Sequence, residues 1–171
     1  MTELARGARA DAADRAAFEA AHAELGAAAT RYAAVILGAE RRSALADVMQ
    51  DAWTRAWAAW PPAQMERRDA WLFRIVRNRC LDEHRRARRR TRSLDECDDL
   101  AAGDDPAASA LADEALRLLA GLPRPLREAL WLRAVDDRSY ADIAALQDVP
   151  IGTVMSRIHA ARRRLARELG R

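Results

Sequence analysis

The fold is decided by the stretch SYADIAALQDVPIGTVMSRIHAARRRLARELG, residues 139–170. Its apolar residues recur at three and four positions on both sides of the turn-forming triplet Asp148-Val149-Pro150. The pattern predicts a helix over 140–147, a three-residue turn, and a second helix that begins at Ile151. Two short helices joined in this way form a helix-turn-helix.

The second helix separates into a core side and an outer side. Ala144 is small where the two helices cross, and Val154 lies in the position that packs against it. From Val154 a core-facing stripe continues through Ile158, Ala161 and Leu165. The outer side then carries Thr153, Ser156, Arg157, His159, Ala160, Arg162, Arg163 and Arg164.

This outer side is typical of a helix that reads DNA. Its N-terminal part is predicted to enter a major groove, where Ser156, Arg157 and His159 reach base edges and the later arginines hold phosphates. The alternative is a charged amphipathic helix without a ligand. The turn, the small crossing residue and the arginine run coincide in one segment, and this favours DNA binding.

Two segments precede the helix-turn-helix. The helical pattern runs from about Leu111 to Leu122, and Pro123 and Pro125 then mark the entry to the helix LREALWLRAV. Before Leu111, residues 94–109 are rich in Asp, Glu, Gly, Pro and Ala and have no helical period. This composition predicts a flexible linker.

The N-terminal half begins with one helical segment and a polar extension. An apolar stripe starts at about Phe18 and stops at Gly38, which is a typical helix end. The first sixteen residues are mostly Ala, Arg and Asp without such a stripe, and they are predicted to fray as a disordered extension.

Two more helices follow in this half. One runs from about Ser43 to Trp60, where Pro61-Pro62 end it because proline cannot continue the hydrogen-bond ladder. The next starts near Asp69, a good N-cap, and passes into an arginine-rich end that has six arginines between Arg85 and Arg92. No strand-like alternation is present in the sequence. The chain is therefore predicted to be all-α, with two small helical domains joined by a flexible linker.

Charge supports a nucleic-acid partner. The chain has 171 residues, half of them apolar, and a formal charge of +3. All 29 basic residues are arginine, which reflects the codon bias of a GC-rich genome. The arginines cluster at 85–92 and 162–167, with acidic residues between, and such clusters are electrostatic footprints for phosphate.

Other classes of protein lack their signatures. No run of about 20 apolar residues and no apolar leader segment is present, so a cytoplasmic protein without membrane insertion is expected. Cys80 and Cys97 are too few for a disulfide framework, and Cys80 with His84 supplies only half a metal site. We expect no metal and no cofactor. No nucleophile–base pair or phosphate loop indicates an enzyme.

Tryptophan is frequent in the N-terminal half. Trp53, Trp57 and Trp60 lie on one predicted helix face, and Trp71 follows a short polar loop. Such rings usually form the core of a small domain. The alternative is that the loop at 61–70, beside the arginine-rich helix, receives an unstacked base, since aromatic platforms and cationic grooves hold single-stranded DNA.

Four segments in register resemble a known family. In order along the chain they are DVMQDAWTRAW, WLFRIVRNRCLDEHRR, LPRPLREALWL and SYADIAALQDVPIGTVMSRIHAARRRL. Together they resemble the extracytoplasmic-function group of sigma-70 family sigma factors over residues 18–169. The resemblance implies a sigma-2 domain at 17–92, an acidic linker at 93–110 and a sigma-4 domain at 111–171.

The resemblance also implies partners. Core RNA polymerase would be bound through its beta-prime clamp helices and its beta flap, and promoter DNA would be bound by both domains. An anti-sigma factor that holds the two domains together is expected as a regulator, and no catalysis is implied for the chain itself. The acidic linker either passes through the polymerase cleft as a mimic of nucleic acid or is a solubilising tether, and the sequence leaves both open.

The resemblance assigns roles to individual residues. The core polymerase-binding residues are Asp47, Gln50, Asp51 and Arg55. The residues that recognise and open the minus-ten element are Trp60, Arg67, Arg68, Trp71, Arg74, Arg77, Asn78, Arg85 and Arg86. The residues that read the minus-thirty-five element are Thr153, Ser156, Arg157, His159, Arg162, Arg163 and Arg164.

The chain departs from the family pattern at several positions. Ala46 replaces one of two acidic residues before the clamp-binding glutamine, and Asp148 stands where the turn usually has glycine. Aspartate tolerates a left-handed backbone, so the turn is expected to persist. Met155 and Ala160 stand where basic residues are common, so the minus-thirty-five preference is expected to differ from that of other members.

Two rival classes remain to be compared with a sigma factor. A helix-turn-helix regulator of the response-regulator kind would carry a receiver domain with strands, whereas this N-terminal half is Trp-rich and helical. A sigma-like decoy that only binds an anti-sigma factor would lose its basic DNA surfaces, and this chain keeps both. The sequence therefore favours the sigma factor.

Overall fold

The computed structural model of the protein describes residues 2–60, 67–93 and 119–169. Regular structure in these ranges is helical throughout, as the sequence predicts. The elements are α1 (Thr2–Leu37), a 3-10 helix (Ala39–Ala44), α2 (Leu45–Ala58), α3 (Arg68–Ser93), α4 (Arg124–Ala134), α5 (Tyr140–Gln147) and α6 (Ile151–Leu169). The predicted linker at 93–110 and the helical pattern from Leu111 lie almost wholly outside the described residues.

The C-terminal part of α1 packs with α2 and α3 to form the first half of the molecule. Fully buried apolar side chains from all three helices, among them Ile36, Ala52, Leu72 and Val76, form its core. Helix α1 ends where the sequence predicts, because Gly38 has a φ of 74° that glycine adopts without steric cost.

Helix α1 begins earlier than predicted. It starts at Thr2 rather than near Phe18. The residues concerned are mainly alanine and arginine, which have high helix propensity. A missing apolar stripe removes tertiary packing from a helix, but it does not remove the backbone preference for the helical state.

Helix α3 also begins slightly before its predicted cap. Asp69 lies in the first turn, after Arg68, instead of preceding the helix. Its carboxylate Oδ2 accepts a hydrogen bond at 2.6 Å from Arg138 in the second half of the molecule. Asp69, which the sequence predicts to be a local helix cap, thus forms a long-range ion pair instead.

The second half contains the helix-turn-helix at the predicted boundaries. Ser139 caps α5 by accepting a 3.1 Å hydrogen bond from the Asp142 amide, and Asp148 ends α5 in the left-handed conformation. Ala144 and Val154 are both buried at the crossing of α5 and α6. The prediction for this motif is confirmed, including the tolerance of aspartate in the turn.

The two halves share one core. Tyr32 of α1 stacks on Phe73 of α3 with ring centroids 5.0 Å apart, and it also stacks on Trp131 of α4 with centroids 5.5 Å apart. All six residues from Arg127 to Leu132 are buried, because α4 packs against α1, α5 and α6. The sequence predicts two helical domains on a tether, whereas in this structure the two helical halves are docked on each other.

Candidate promoter and polymerase interfaces

Helix α6 presents a basic outer side. Val154, Ile158 and Ala161 are buried as predicted, and Leu165 is half-buried at the edge of the core. The opposite side is exposed at Ser156, His159, Arg162, Arg163 and Arg164. A row of donors on a helix supported by a helix-turn-helix has the form of a major-groove reader.

The N-terminal part of α6 differs from the prediction in detail. Thr153 and Arg157 are half-buried, and Arg157 Nη1 donates a 2.7 Å hydrogen bond to Oε1 of Gln147 in α5. Arg157 therefore joins the two helices of the motif as well as facing outward. Met155 is 53% exposed and Ile151 is also exposed, so the leading turn of α6 presents apolar groups.

The two predicted minus-ten tryptophans belong to an aromatic cluster. Trp60 contacts Phe18 with ring centroids 5.0 Å apart and Trp71 with centroids 6.1 Å apart. Both indoles are half-buried, and the Arg68 guanidinium lies 5.6 Å from the Trp60 ring centroid. Much of each indole ring is thus packed against the core, as expected for tryptophans of a small domain. Most of the loop between them, residues 61–66, lies outside the described residues.

Three of the predicted minus-ten arginines bind the second half of the molecule. Arg67 Nη2 lies 2.6 Å from Asp142 Oδ1, and Arg74 Nη2 donates a 2.8 Å hydrogen bond to the Ala145 carbonyl. The hydrogen bond to Ser139, followed by that to Arg67, lowers the pKa of Asp142. These side chains therefore face the docked second half.

The third of these arginines is the most enclosed. Arg77 Nε donates a 2.7 Å hydrogen bond to Oε1 of Glu128 in α4. Glu128 is only 2% exposed, and its Oε1 also accepts a 2.7 Å hydrogen bond from the Tyr32 hydroxyl. Burial and then the Glu128 carboxylate raise the pKa of Tyr32 well above its usual range. The sequence pattern does not predict this cluster, and the only sign of it in the sequence is the charged pair Arg127-Glu128 inside an apolar helix.

The rest of the predicted minus-ten set is exposed on α3. Asn78, Arg85 and Arg86 reach the surface, and Arg85 Nη1 lies 2.5 Å from Asp82 Oδ1. Arg88 and Arg89 are exposed on the same helix end. This end of α3 forms a second basic surface, separate from α6.

The predicted polymerase-binding residues on α2 divide into two groups. Asp47 and Gln50 are exposed. Asp51 is ion-paired with Arg79 of α3, which is only 5% exposed, and also lies 3.5 Å from the guanidinium of Arg55. Asp51 therefore supports the packing of α2 on α3, whereas Asp47 and Gln50 are available to a partner.

Cys80 and His84 face different backbone carbonyls of α1. The Cys80 thiol is 3.9 Å from the Ala33 carbonyl, and His84 Nε2 is 3.0 Å from the Ile36 carbonyl. Burial raises the pKa of Cys80 to about 12 and lowers that of His84. Among the residues that the structure describes, no three His, Cys, Asp or Glu side chains are grouped to hold a metal ion.

In the three described ranges no helix has both the length and the apolar character to cross a bilayer.

The fold and surfaces define an all-helical protein of two parts, one of which carries a helix-turn-helix. Sequence comparison agrees with both parts, since the sigma-70 region 2 family matches residues 18–101 and the sigma-70 region 4 family matches residues 112–165. The chain belongs to the sigma-70 family, in its extracytoplasmic-function (ECF) group, and is a transcription initiation factor.

Individual relatives support this placement. The chain is 34% identical over 131 residues to the ECF RNA polymerase sigma-E factor of Escherichia coli K12, covering 68% of this chain and 69% of the relative. It is 33% identical over 126 residues to the ECF sigma factor SigE of Mycolicibacterium smegmatis, covering 70% of this chain and 49% of that relative.

Two solved structures are similar over nearly the whole chain. One is the sigma factor RpoE in complex with the anti-sigma factor NepR from Bartonella quintana, with a TM-score of 0.74, 27% identity, and coverage of 90% of this chain and 96% of that one. The other is CnrH in complex with the cytosolic domain of CnrY, with a TM-score of 0.65, 27% identity, and coverage of 95% and 94%.

Proposed function

We propose that this sigma factor reads promoters with two separate helical surfaces, α6 for the minus-thirty-five element and the exposed part of α3 for the minus-ten element. The observation that carries the proposal is the exposed basic row on α6 formed by His159, Arg162, Arg163 and Arg164, opposite a buried stripe that holds the helix in a helix-turn-helix. Phosphate contacts from arginines would fix the register, and Ser156 and His159 would reach base edges.

The leading turn of α6 gives the upstream contact its own character. Met155 and Ile151 are exposed apolar residues. The family commonly has a basic residue at the position of Met155. Apolar side chains in a major groove favour the methyl group of thymine. The upstream element is therefore expected to contain A·T pairs opposite this turn. The arginine contacts are expected only toward the C-terminal side of this turn.

The minus-ten contact uses α3. Asn78, Arg85 and Arg86 are exposed on α3, and Arg85 and Arg86 belong to its basic end. Arg67, Arg74 and Arg77 have the correct charge, but each is bonded to the second half of the molecule in this structure. Their use on DNA requires that the second half move away. Trp60 and Trp71 would take part through the exposed portions of their rings.

Polymerase would be bound at two places. Asp47 and Gln50 on the exposed side of α2 are the proposed contacts to the beta-prime clamp helices, with Asp51 and Arg55 positioning that face. The second half of the molecule would bind the beta flap. Because RNA polymerase works in the cytoplasm, we place the protein there, and its role as a binding factor needs no catalytic group.

Control by an anti-sigma factor is the third part of the proposal. One similar solved structure is named as a sigma factor in complex with an anti-sigma factor, and the other is named as a complex with the cytosolic domain of a second protein. The docked arrangement of the two halves is supported by extensive buried contacts, and a protein that bound both halves at once would keep them docked. The sequence contains no signal that names this partner.

The experiment is run-off transcription with purified core RNA polymerase, this protein and a library of promoter DNA. Transcripts that share upstream motifs, and depend on the protein, are the expected result. Arg163→Ala should reduce initiation at the selected promoters while core binding stays unchanged. Arg31→Ala, at an exposed arginine of α1 to which no role is assigned, should leave both initiation and the preferred upstream motif unchanged and serves as the matched control.

Three outcomes would count against the proposal. Absence of core binding would refute a sigma factor. Core binding without initiation would indicate a decoy. Initiation with an unaltered upstream motif and unaltered efficiency in the Arg163 variant would refute the role assigned to the basic row of α6.

A further inference from the structure

The side chain of Gln147 connects α5 to α6 at the turn of the helix-turn-helix. Its Oε1 accepts a 2.7 Å hydrogen bond from Arg157 Nη1. Only the oxygen of an amide accepts a hydrogen bond, so this contact fixes the orientation of the amide group. Gln147 is 4% exposed, so it holds Arg157 from inside the motif and does not contact DNA itself.

The nitrogen of the same amide is buried at a cost. Gln147 Nε2 is inaccessible to water and has no hydrogen-bond partner among the residues that the structure describes. A buried donor without an acceptor lowers the stability of a fold, whereas an apolar side chain of the same size does not. Packing of the motif therefore does not account for a glutamine at this position. What the amide contributes is the acceptor that it offers to Arg157.

Arg157 is the charged side chain of the leading part of α6. Residues 151–158 contain no other Arg, Asp, Glu or His. Met155 has no donor, and the Ser156 hydroxyl donates a 2.9 Å hydrogen bond to the Thr153 carbonyl. Arg157 is therefore the only charged donor that this part of α6 can direct at a guanine, the base that arginine reads most commonly.

The hydrogen bond to Gln147 leaves one edge of the Arg157 guanidinium available to DNA. It uses Nη1, whereas Nε and Nη2 have no acceptor among the described residues. These two N–H groups are parallel, and a parallel pair of donors matches N7 and O6 of guanine. An arginine side chain loses rotamer freedom when it binds, and this loss weakens binding. Because Gln147 already holds Arg157, part of that loss occurs before DNA is bound.

We propose that Gln147 is a positioning residue for promoter recognition, which holds Nη1 of Arg157 so that the Nε–Nη2 edge reads a guanine of the upstream element. This role rests on the proposed function, since α6 must lie in the major groove. A buried glutamine is then retained for recognition and not for stability. The upstream element should contain one guanine opposite Arg157, beside the A·T pairs expected opposite Met155.

Two substitutions of Gln147 separate positioning from packing. Gln147→Met preserves the length of the side chain and removes the unpaired donor, but it takes the amide acceptor away from Arg157. Gln147→Glu also removes that donor, yet it keeps an oxygen that can accept from Arg157. Asp137→Asn is the control in the same half of the molecule, at a side chain that is 92% exposed and ion-paired with Arg133.

The first readout is the base preference of the holoenzyme. The full-length chain and core RNA polymerase transcribe a promoter library with a randomised upstream element, and a barcode in each transcript identifies its promoter. Arg157→Ala should abolish the preference for guanine at one position and thereby identify it. At that position the preference should fall about tenfold in Gln147→Met, while Gln147→Glu and Asp137→Asn keep it within about twofold. Preferences at the other positions should not change.

The second readout is the stability of the full-length chain. The urea unfolding midpoint of Gln147→Met should rise by about 0.5 M, because a buried unpaired donor is removed. A merely structural glutamine would give the opposite result, a lower midpoint with weaker initiation at every upstream sequence. If far-UV circular dichroism shows that Gln147→Met does not fold, Gln147→Leu is the second apolar variant. Failure of both to fold would overturn the inference, since the amide would then be needed for packing.

The outcomes distinguish the role of Gln147 from the proposed function. An unchanged guanine preference in Gln147→Met, or an equal loss in Gln147→Met and Gln147→Glu, would overturn the positioning role alone, provided that Arg163→Ala still reduces initiation. If Arg157→Ala alters no single position, Arg157 does not read a base, and the positioning role is again overturned while α6 keeps its proposed use. Absence of initiation by the wild-type protein would overturn both.

Discussion

Replacement of Asp51 by asparagine separates the stabilising role of α2 from its proposed polymerase contacts. In the structure the Asp51 carboxylate is ion-paired with Arg79, whose side chain is 5% exposed, and Arg79 also contacts Asp82 at 3.1 Å. A neutral amide in place of this carboxylate would leave the buried guanidinium with one charged partner instead of two. Among the residues that the structure describes, Arg79 Nε has no hydrogen-bond partner to compensate.

The magnitude follows from the burial of the two groups. Removing one member of a fully buried ion pair costs about 3–5 kcal/mol. The Asp51 carboxylate is 41% exposed, so part of its charge interaction is already screened by water, and we expect a loss of about 2 kcal/mol. With a urea dependence of about 2 kcal/mol per molar, the unfolding midpoint should fall by about 1 M.

The assay is urea unfolding followed by far-UV circular dichroism and by tryptophan fluorescence. Asp47→Asn is the matched control, because Asp47 is an exposed aspartate in the same helix. Its unfolding free energy should change by no more than about 0.5 kcal/mol, as is typical of surface changes. Affinity for core polymerase should fall more in Asp47→Asn than in Asp51→Asn, although Asp47→Asn remains fully folded. An Asp51→Asn midpoint equal to that of the wild type would refute the reasoning.

Three further predictions concern the DNA surface, the buried thiol and the half-buried histidine. Arg163→Ala should lower the slope of log DNA affinity against log salt concentration by about 1 without a change in stability. Arg157→Ala should also destabilise the helix-turn-helix, because it loses the hydrogen bond to Gln147. Equal unfolding midpoints for the two variants would contradict this. Cys80, with a pKa of about 12, should react with iodoacetamide at pH 8 about a thousandfold more slowly than in urea, and mass spectrometry showing rapid native labelling would refute its burial. Burial lowers the pKa of His84 in the fold, so as pH decreases the unfolded chain binds a proton first. The unfolding free energy should therefore decrease below about pH 6.5. The profile of unfolding free energy against pH should be flatter for His84→Gln between about pH 7.5 and 5.5.

The helix-turn-helix is the part that the sequence predicted most fully. Its helices begin and end at the expected residues, and the left-handed Asp148 and the buried Val154 are in their expected positions. These features depend on local backbone preferences and on a periodic apolar face, both of which can be read from neighbouring residues. The resemblance to the extracytoplasmic-function sigma factors was likewise carried by short segments in order.

The roles of charged residues were harder to predict. Asp69 looks like a helix cap, yet it binds Arg138, and Asp51, which is predicted to contact a partner, also neutralises Arg79. A sequence pattern predicts which side of a helix is polar. It does not tell whether that side faces water, a ligand or another part of the same chain, because that depends on the packing of helices far apart in sequence.

The docking of the two halves is the clearest case. By itself, the sequence determined that the chain is helical, that it has two basic helix faces and that it belongs among the sigma factors. Only the tertiary structure decided that Glu128 meets Tyr32 and Arg77, which lie 96 and 51 positions away from it in the chain. Hydrogen bonds of this kind are set by the complementary shapes and charges of two complete surfaces, and no local pattern of residues records them.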